Sequence, residues 1–238
     1  MNKTQKDIFG MAILAYYHHQ DESDIIVHSP DFDDDIIPVS YLFREFCDMP
    51  PIEKTALKNC YGKVLDVGCG AGSHALYLQN NRKLKVTGID TSKGTVEIAA
   101  ERGLRDVRHL DFFKLKNEKF DTLLMLMNGT GIISNLRNLN SFFSHIRTLL
   151  LPGGQLLIDS SDLSYLRDDE DEEEPGEKYI GEIRFQLSYK GDQSESFDWL
   201  YIDFESLKYI AGYNNFDCEL LKKGRHYDYL ARLQPKMK

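Results

Sequence analysis

The stretch Lys63-Val64-Leu65-Asp66-Val67-Gly68-Cys69-Gly70-Ala71-Gly72-Ser73 is an apolar run that ends in three alternate glycines, followed by the helical pattern Ser73–Gln79. Glycine lets a backbone turn sharply and come close to a ligand, and the free N–H groups of the helix that follows face a negative group. The stretch therefore reads as a strand, a tight turn and a helix opening on a binding site. A dinucleotide site also uses a glycine-rich first turn with an acid about twenty residues later. That pattern needs a third glycine where this chain has Ser73, and it has no place for an acid at Asp66. The spacing of an acid followed by three alternate glycines is met in full.

Outward from this turn, short apolar runs alternate with amphipathic ones. Strands are predicted at Val64–Val67, Leu84–Ile89, Val107–Leu110, Phe120–Met125 and Gln155–Asp159, and helices at Ser73–Gln79, Lys93–Arg102 and Asn135–Leu151. This alternation predicts an α/β fold with a doubly wound, mostly parallel sheet. After Asp162 the pattern changes. Ile183, Phe185, Leu187 and Tyr189 fall at every second position, as do Phe197, Trp199 and Tyr201, which predicts a hairpin. A helix at Phe204–Ala211 and strands at Cys218–Lys222 and Tyr227–Leu233 close the chain, so the sheet ends in an antiparallel pair. Before Cys60 the sequence reads as helices (Ile8–Tyr17, Val39–Cys47, Pro51–Asn59) around a polar loop at Asp31–Asp35.

The sequence resembles the class I S-adenosylmethionine-dependent methyltransferases, whose first motif is an acid, any residue, and three alternate glycines. The resemblance implies a seven-stranded Rossmann-like methyltransferase fold with an N-terminal helical lid and an inserted β-hairpin. It divides the chain into a lid (1–60), a donor-binding core (61–162 and 204–238) and an insert that binds the acceptor (163–203). It implies S-adenosylmethionine as cofactor, with S-adenosylhomocysteine as product. Asp66, Gly68, Cys69 and Gly70 would hold the donor. Asp90, with Thr91, would bind the ribose, Asp111 the adenine amino group, and Phe112 the purine face. Met127 and Asn128 lie at the ligand edge after the fourth strand, and Arg44 would pair with the donor carboxylate. Tyr17, Asn128, Asp159, Asp162 and Trp199 are the candidate acceptor residues. No catalytic residue is assigned and no metal is expected.

Composition narrows the partner. The 238 residues carry a net charge of −9, and seven consecutive acids, Asp168 to Glu174, account for all but −2 of it. No basic block or stripe is present, which argues against nucleic acid. The run itself reads as a solvated loop, with attraction of a cationic substrate as the sharper reading. Four scattered cysteines without a CxxC pair fit reduced thiols in a cytoplasm. The apolar stretch Ile8–Tyr17 lacks a cleavage site, and no segment is long enough to span a bilayer. The expectation is a cytoplasmic methyltransferase acting on a small-molecule acceptor, of unassigned oligomeric state. The alternatives are a non-catalytic module that binds donor or product, or an aminopropyl transferase of the same fold.

Overall fold

The computed structural model describes residues 6–166 and 179–236. The acidic run Asp168–Glu174 lies outside them. The chain forms helix α1 (Ile8–His19), strands β1 (Ile25–His28) and β2 (Asp35–Ile37), helix α2 (Pro51–Asn59), β3 (Lys63–Val67), α3 (Ser73–Asn80), β4 (Lys85–Asp90) and α4 (Lys93–Glu101). It continues through β5 (Val107–His109), β6 (Phe120–Met125), α5 (Leu139–Leu149) and β7 (Leu150–Ser161). The last elements are β8 (Glu182–Tyr189), β9 (Asp192–Gln193), β10 (Phe197–Leu200), α6 (Phe204–Tyr213), β11 (Phe216–Lys223) and β12 (Asp228–Pro235).

Seven strands make the main sheet in the order β11-β12-β7-β6-β3-β4-β5. The five from β3 to β7 pair in parallel, and β12 runs antiparallel to both β7 and β11. Side chains on a strand alternate between faces, and here each face has its own core. Leu65, Leu123, Leu156 and Ile158 pack with α5 and α6. Val64, Leu124 and Leu157 pack with α2, α3 and α4. Both faces are apolar because helices cover both, as a parallel sheet requires.

The region before Cys60 is not helical throughout. Ile25-Ile26-Val27, three β-branched residues, form β1, and Asp35–Ile37 forms β2. They join the inserted hairpin in a second sheet of order β10-β8-β1-β2, with β9 on β8. The helix expected at Val39–Cys47 is a single 3₁₀ turn at Val39–Phe43. Pro38 enters it extended and Arg44 leaves it extended, so helical φ/ψ is not propagated at either end. The expected helix at Asn135–Leu151 starts at Leu139, because Asn135 is extended and 3₁₀ geometry intervenes. The second sheet packs Ile25, Leu187 and Tyr189 against Ile8, Ala12 and Ile13 of α1, whose other neighbours include Ala71 and Ile98. In this way α1, β1 and β8 pack together beside the turn after β3 and helix α4.

Candidate functional site

Glycines 68, 70 and 72 all have positive φ, at 71°, 53° and 86°, which is where glycine is favoured over any L residue. The amides of Gly68 and Cys69 both donate to Ile89 O, pinning the turn to the end of β4. A Cβ built on Gly70 meets nothing within 4 Å, so the backbone there faces open space. The Gly70 amide donates to Asp90 Oδ2 at 2.9 Å, and Ser92 N donates to Asp90 Oδ1 at 2.8 Å. Burial raises the Asp90 carboxyl above its usual range, and these N–H groups pull it back. Thr91 lies exposed beside it, its carbonyl 2.9 Å from His109 Nε2. The helix cap of α4 is Ser92, so Asp90 is free of that duty.

Beneath the turn, Asp66 is buried, and desolvation lifts its carboxyl to about 6. Next to it runs a buried ionic chain that the sequence did not announce. His74 Nε2 lies 2.7 Å from Glu53 Oε2, and Glu53 Oε1 takes Arg44 Nη2. Burial alone would raise Glu53, but His74 and Arg44 outweigh it and hold the carboxyl below its ordinary value. Arg44 is thus a buried, paired residue. Its Nη1 donates to Tyr41 O, and its guanidinium lies 3.8 Å from the Tyr41 ring centroid. One N–H of each terminal nitrogen of Arg44 is thus committed within the fold, and its Nε has no partner among the described residues.

Arg44 Nε and Asp66 Oδ2 are buried with no hydrogen-bond partner among the described residues. An unpaired buried polar atom costs about 1–3 kcal/mol. A donor for Asp66 and an acceptor for Arg44 are the two ends of an α-amino acid group, and the open backbone at Gly70 lies on the same turn. These residues fit the methionine end of the donor that the sequence motif implies.

Of the aromatic pair after β5, Phe112 turns inward. It is buried against Phe142 and His145, while Phe113 is 37% exposed. The 3₁₀ turn Phe112–Lys114 directs the Phe112 ring, where the sequence places the purine face, into the core, and Phe113 is the exposed ring of the two. Asp111 stays half-exposed and accepts from Phe113 N at 3.0 Å.

The loop after β6 is held by β7. Met127 and Asn128 both have left-handed φ, 66° and 57°. Non-glycine residues hold that conformation only when their surroundings enforce it. Here Asp159 does so, its Oδ2 accepting from Met127 N at 3.1 Å and its Oδ1 from Gly129 N at 2.8 Å. Ser161 Oγ donates to Asn128 Oδ1 at 2.9 Å. Burial lifts the Asp159 carboxyl to about 6 despite these donors. Trp199 lies directly on Gly131, where a Cβ would fall 1.8 Å from its ring. Asp162 accepts from Ser164 N at 2.9 Å and Tyr17 stacks on Phe43, with ring centroids 6.2 Å apart. Asp159, Asn128, Met127 and Trp199 are brought together at the end of the sheet. Glu53, His74 and Tyr41 are the residues that sequence reasoning missed.

Residues 64–154 match a family model described as a methyltransferase domain. A solved structure of an S-adenosylmethionine-dependent methyltransferase from Bacteroides fragilis, in complex with S-adenosyl-L-homocysteine, is 47% identical. It superposes with a TM-score of 0.90 over 98% of this chain and 96% of its own. Over 106 residues the chain is 31% identical to a probable (S)-tetrahydroprotoberberine N-methyltransferase 2 of Papaver bracteatum, covering 41% of this chain and 28% of that one. Over 118 residues it is 29% identical to phosphoethanolamine N-methyltransferase 3 of Arabidopsis thaliana, covering 48% and 23%. The chain therefore spans about a quarter of the length of these curated relatives.

Proposed function

The chain belongs to the S-adenosylmethionine-dependent methyltransferases, and from that premise we propose that it methylates a small molecule held between the second sheet and the loop 127–131. S-adenosylmethionine supplies an activated sulfonium methyl when bound. The protein's share of the work is then alignment and exclusion of water, with base catalysis optional.

In this reading Asp66, Arg44 Nε and the backbone of Gly68, Cys69 and Gly70 hold the amino acid end of the donor. Asp90 and Thr91 take the ribose. The turn Asp111–Phe113 takes the adenine, through the Asp111 carboxylate and the exposed Phe113 ring, with Phe112 as its support. Met127 and Asn128 separate donor from acceptor. Residues 1–60 form the lid and 163–203 the acceptor-binding insert, and Asn128, Asp159 and Trp199 face the acceptor, with Tyr17 and Asp162 at the rim. We place the protein in the cytoplasm. Its four cysteines are free thiols in the structure, and among the described residues no helix is long and apolar enough to cross a membrane.

The observation that carries the small-molecule reading is the roof over the site. The second sheet seats Trp199 on Gly131, and we read this contact as closing the acceptor side to a polymer. The names of the two plant relatives, both methyltransferases of small molecules, support it. The test is transfer from methyl-labelled S-adenosylmethionine into a host-cell extract separated into small-molecule, protein and nucleic-acid fractions. Label is expected in the small-molecule fraction, and Gly70→Ala or Asp90→Ala should weaken donor binding at least tenfold without unfolding the chain. Label confined to protein or nucleic acid, or found nowhere although the donor binds, would overturn the reading.

A further inference from the structure

The roof of the site is aromatic. On the second sheet Phe185 and Phe197 have ring centroids 6.3 Å apart and Phe197 and Trp199 6.1 Å, and Tyr201, just after β10, lies 6.3 Å from Phe185, each pair tilted or edge-on. All four rings are only half-buried. A core would have closed over them. Trp199 abuts Gly131, so this run of rings meets the end of the main sheet at the loop that Asp159 fixes.

A carboxylate lies at this same loop: Asp159 accepts from Met127 N and Gly129 N, two residues before the Gly131 on which Trp199 sits. The Asp159 carboxylate acts on both the Tyr201 and the Tyr41 hydroxyl, and Asp35, on β2 of the same second sheet, also acts on Tyr201. Burial comes first among the causes that push the Tyr201 phenol up to about 12, and these two acids add to it. Arg44, the cation next to Tyr41, is already neutralised by Glu53. Aromatic faces with a carboxylate at their edge are what an alkylammonium group requires: the rings attract it through their quadrupoles and the acid through its charge.

We propose that the acceptor atom is an amine nitrogen, held against Phe185, Trp199 and Tyr201 with Asp159 at its edge. The inference rests on the methyltransferase reading and adds the acceptor's chemical class, a small alkyl- or arylalkylamine. The lone pair of the neutral amine forms the N–C bond to the methyl carbon as the C–S bond breaks, and that bonding pair returns to sulfur, leaving a neutral thioether. The nitrogen gains the positive charge and then gives up a proton, if it carries one, to Asp159 or to water. The cleft favours charge on the nitrogen as it develops, which assists the step more than tight binding of the neutral amine would.

The chain has a single tryptophan, Trp199, which makes it a reporter for this cleft. The test titrates the protein saturated with S-adenosylhomocysteine against choline and against 3,3-dimethylbutan-1-ol, its uncharged isostere. The cation is expected to bind about tenfold or more tightly than the alcohol, with a change in Trp199 emission. By calorimetry, Asp159→Asn and, separately, Phe185→Leu should each remove most of that preference, with far-UV circular dichroism and S-adenosylhomocysteine affinity reporting whether the fold and donor site are intact. The comparison in the unmodified protein stands even if a variant fails to fold. Equal affinity for the two probes, preference for the alcohol, or no binding of choline while S-adenosylhomocysteine binds would overturn the amine proposal and leave the methyltransferase reading in place. Failure to bind S-adenosylhomocysteine at all would overturn both.

Discussion

Asp7 accepts a hydrogen bond from Gly94 N, 87 residues further along the chain, at 3.1 Å. The other oxygen of the same carboxylate caps its own helix, accepting from Gly10 N at 2.9 Å. One side chain therefore satisfies the N-termini of α1 and α4 together, and it lies close enough to Asp90 for its charge to act there. The two helices touch at glycines, since a Cβ on Gly94 would fall 2.6 Å from Gly10 Cα. This contact is what fastens α1 to α4.

Loss of that carboxylate should cost the cap of α1 and a hydrogen bond to the first turn of α4. Asp7→Ala is expected to destabilise the protein by about 1–3 kcal/mol, read as a lower urea midpoint at unchanged slope. Gly94→Ala should destabilise it comparably, about 1–3 kcal/mol, by forcing the helices apart. A change below a few tenths of a kilocalorie in both would mean that the helices do not meet in this way.

The buried pair Arg44–Glu53 makes an opposite prediction for single and double variants. Both side chains are only 5% exposed. Glu53→Leu alone leaves a buried cation and should cost about 3–5 kcal/mol. The double variant Arg44→Met with Glu53→Leu is expected to recover most of that, measured by denaturation in a double-mutant cycle. It should nevertheless bind S-adenosylhomocysteine more weakly, since Arg44 Nε is gone. Equal stability of the single and double variants would remove the ion pair from the account.

The pH dependence of stability should carry the mark of Asp159. Its carboxyl, near 3.8 in the unfolded chain, is lifted to about 6 by burial in the fold. The native state therefore binds the proton more tightly, and the stability that protonation contributes is present below about pH 4 and lost as pH rises through about 6. Relative to Asp159→Asn, the wild type should lose on the order of 2–3 kcal/mol between those limits. Parallel stability profiles for the two proteins from pH 4 to pH 7 would show that Asp159 is not desolvated.

Local features were legible without coordinates. Phe120–Met125 and Pro51–Asn59 fall where the apolar run and the proline at a first turn predict them. Asp7 before Ile8 is itself a readable helix start. The run Ile25-Ile26-Val27 carried a strand signal in its β-branching, but a three- or four-residue strand needs a partner. That partner is β8, about 160 residues away, as in the pairing of Ile26 with Ser188. Which of Phe112 and Phe113 faces the core was not legible either, because it depends on the 3₁₀ turn and on the packing of Phe142 and His145.

The sequence by itself determined the strand, the glycine turn with its positive φ angles, and the acids Asp66, Asp90 and Asp111 at strand ends, because backbone conformation and side-chain periodicity are set within a few residues. Only the tertiary structure decided that Arg44 is taken by Glu53, that Asp159 holds Met127 and Gly129 in place, and that Trp199 closes on Gly131. Those pairings join residues 9, 32 and 68 positions apart. Their partners are chosen by which surfaces packing brings together and by the need to satisfy each polar group taken out of water.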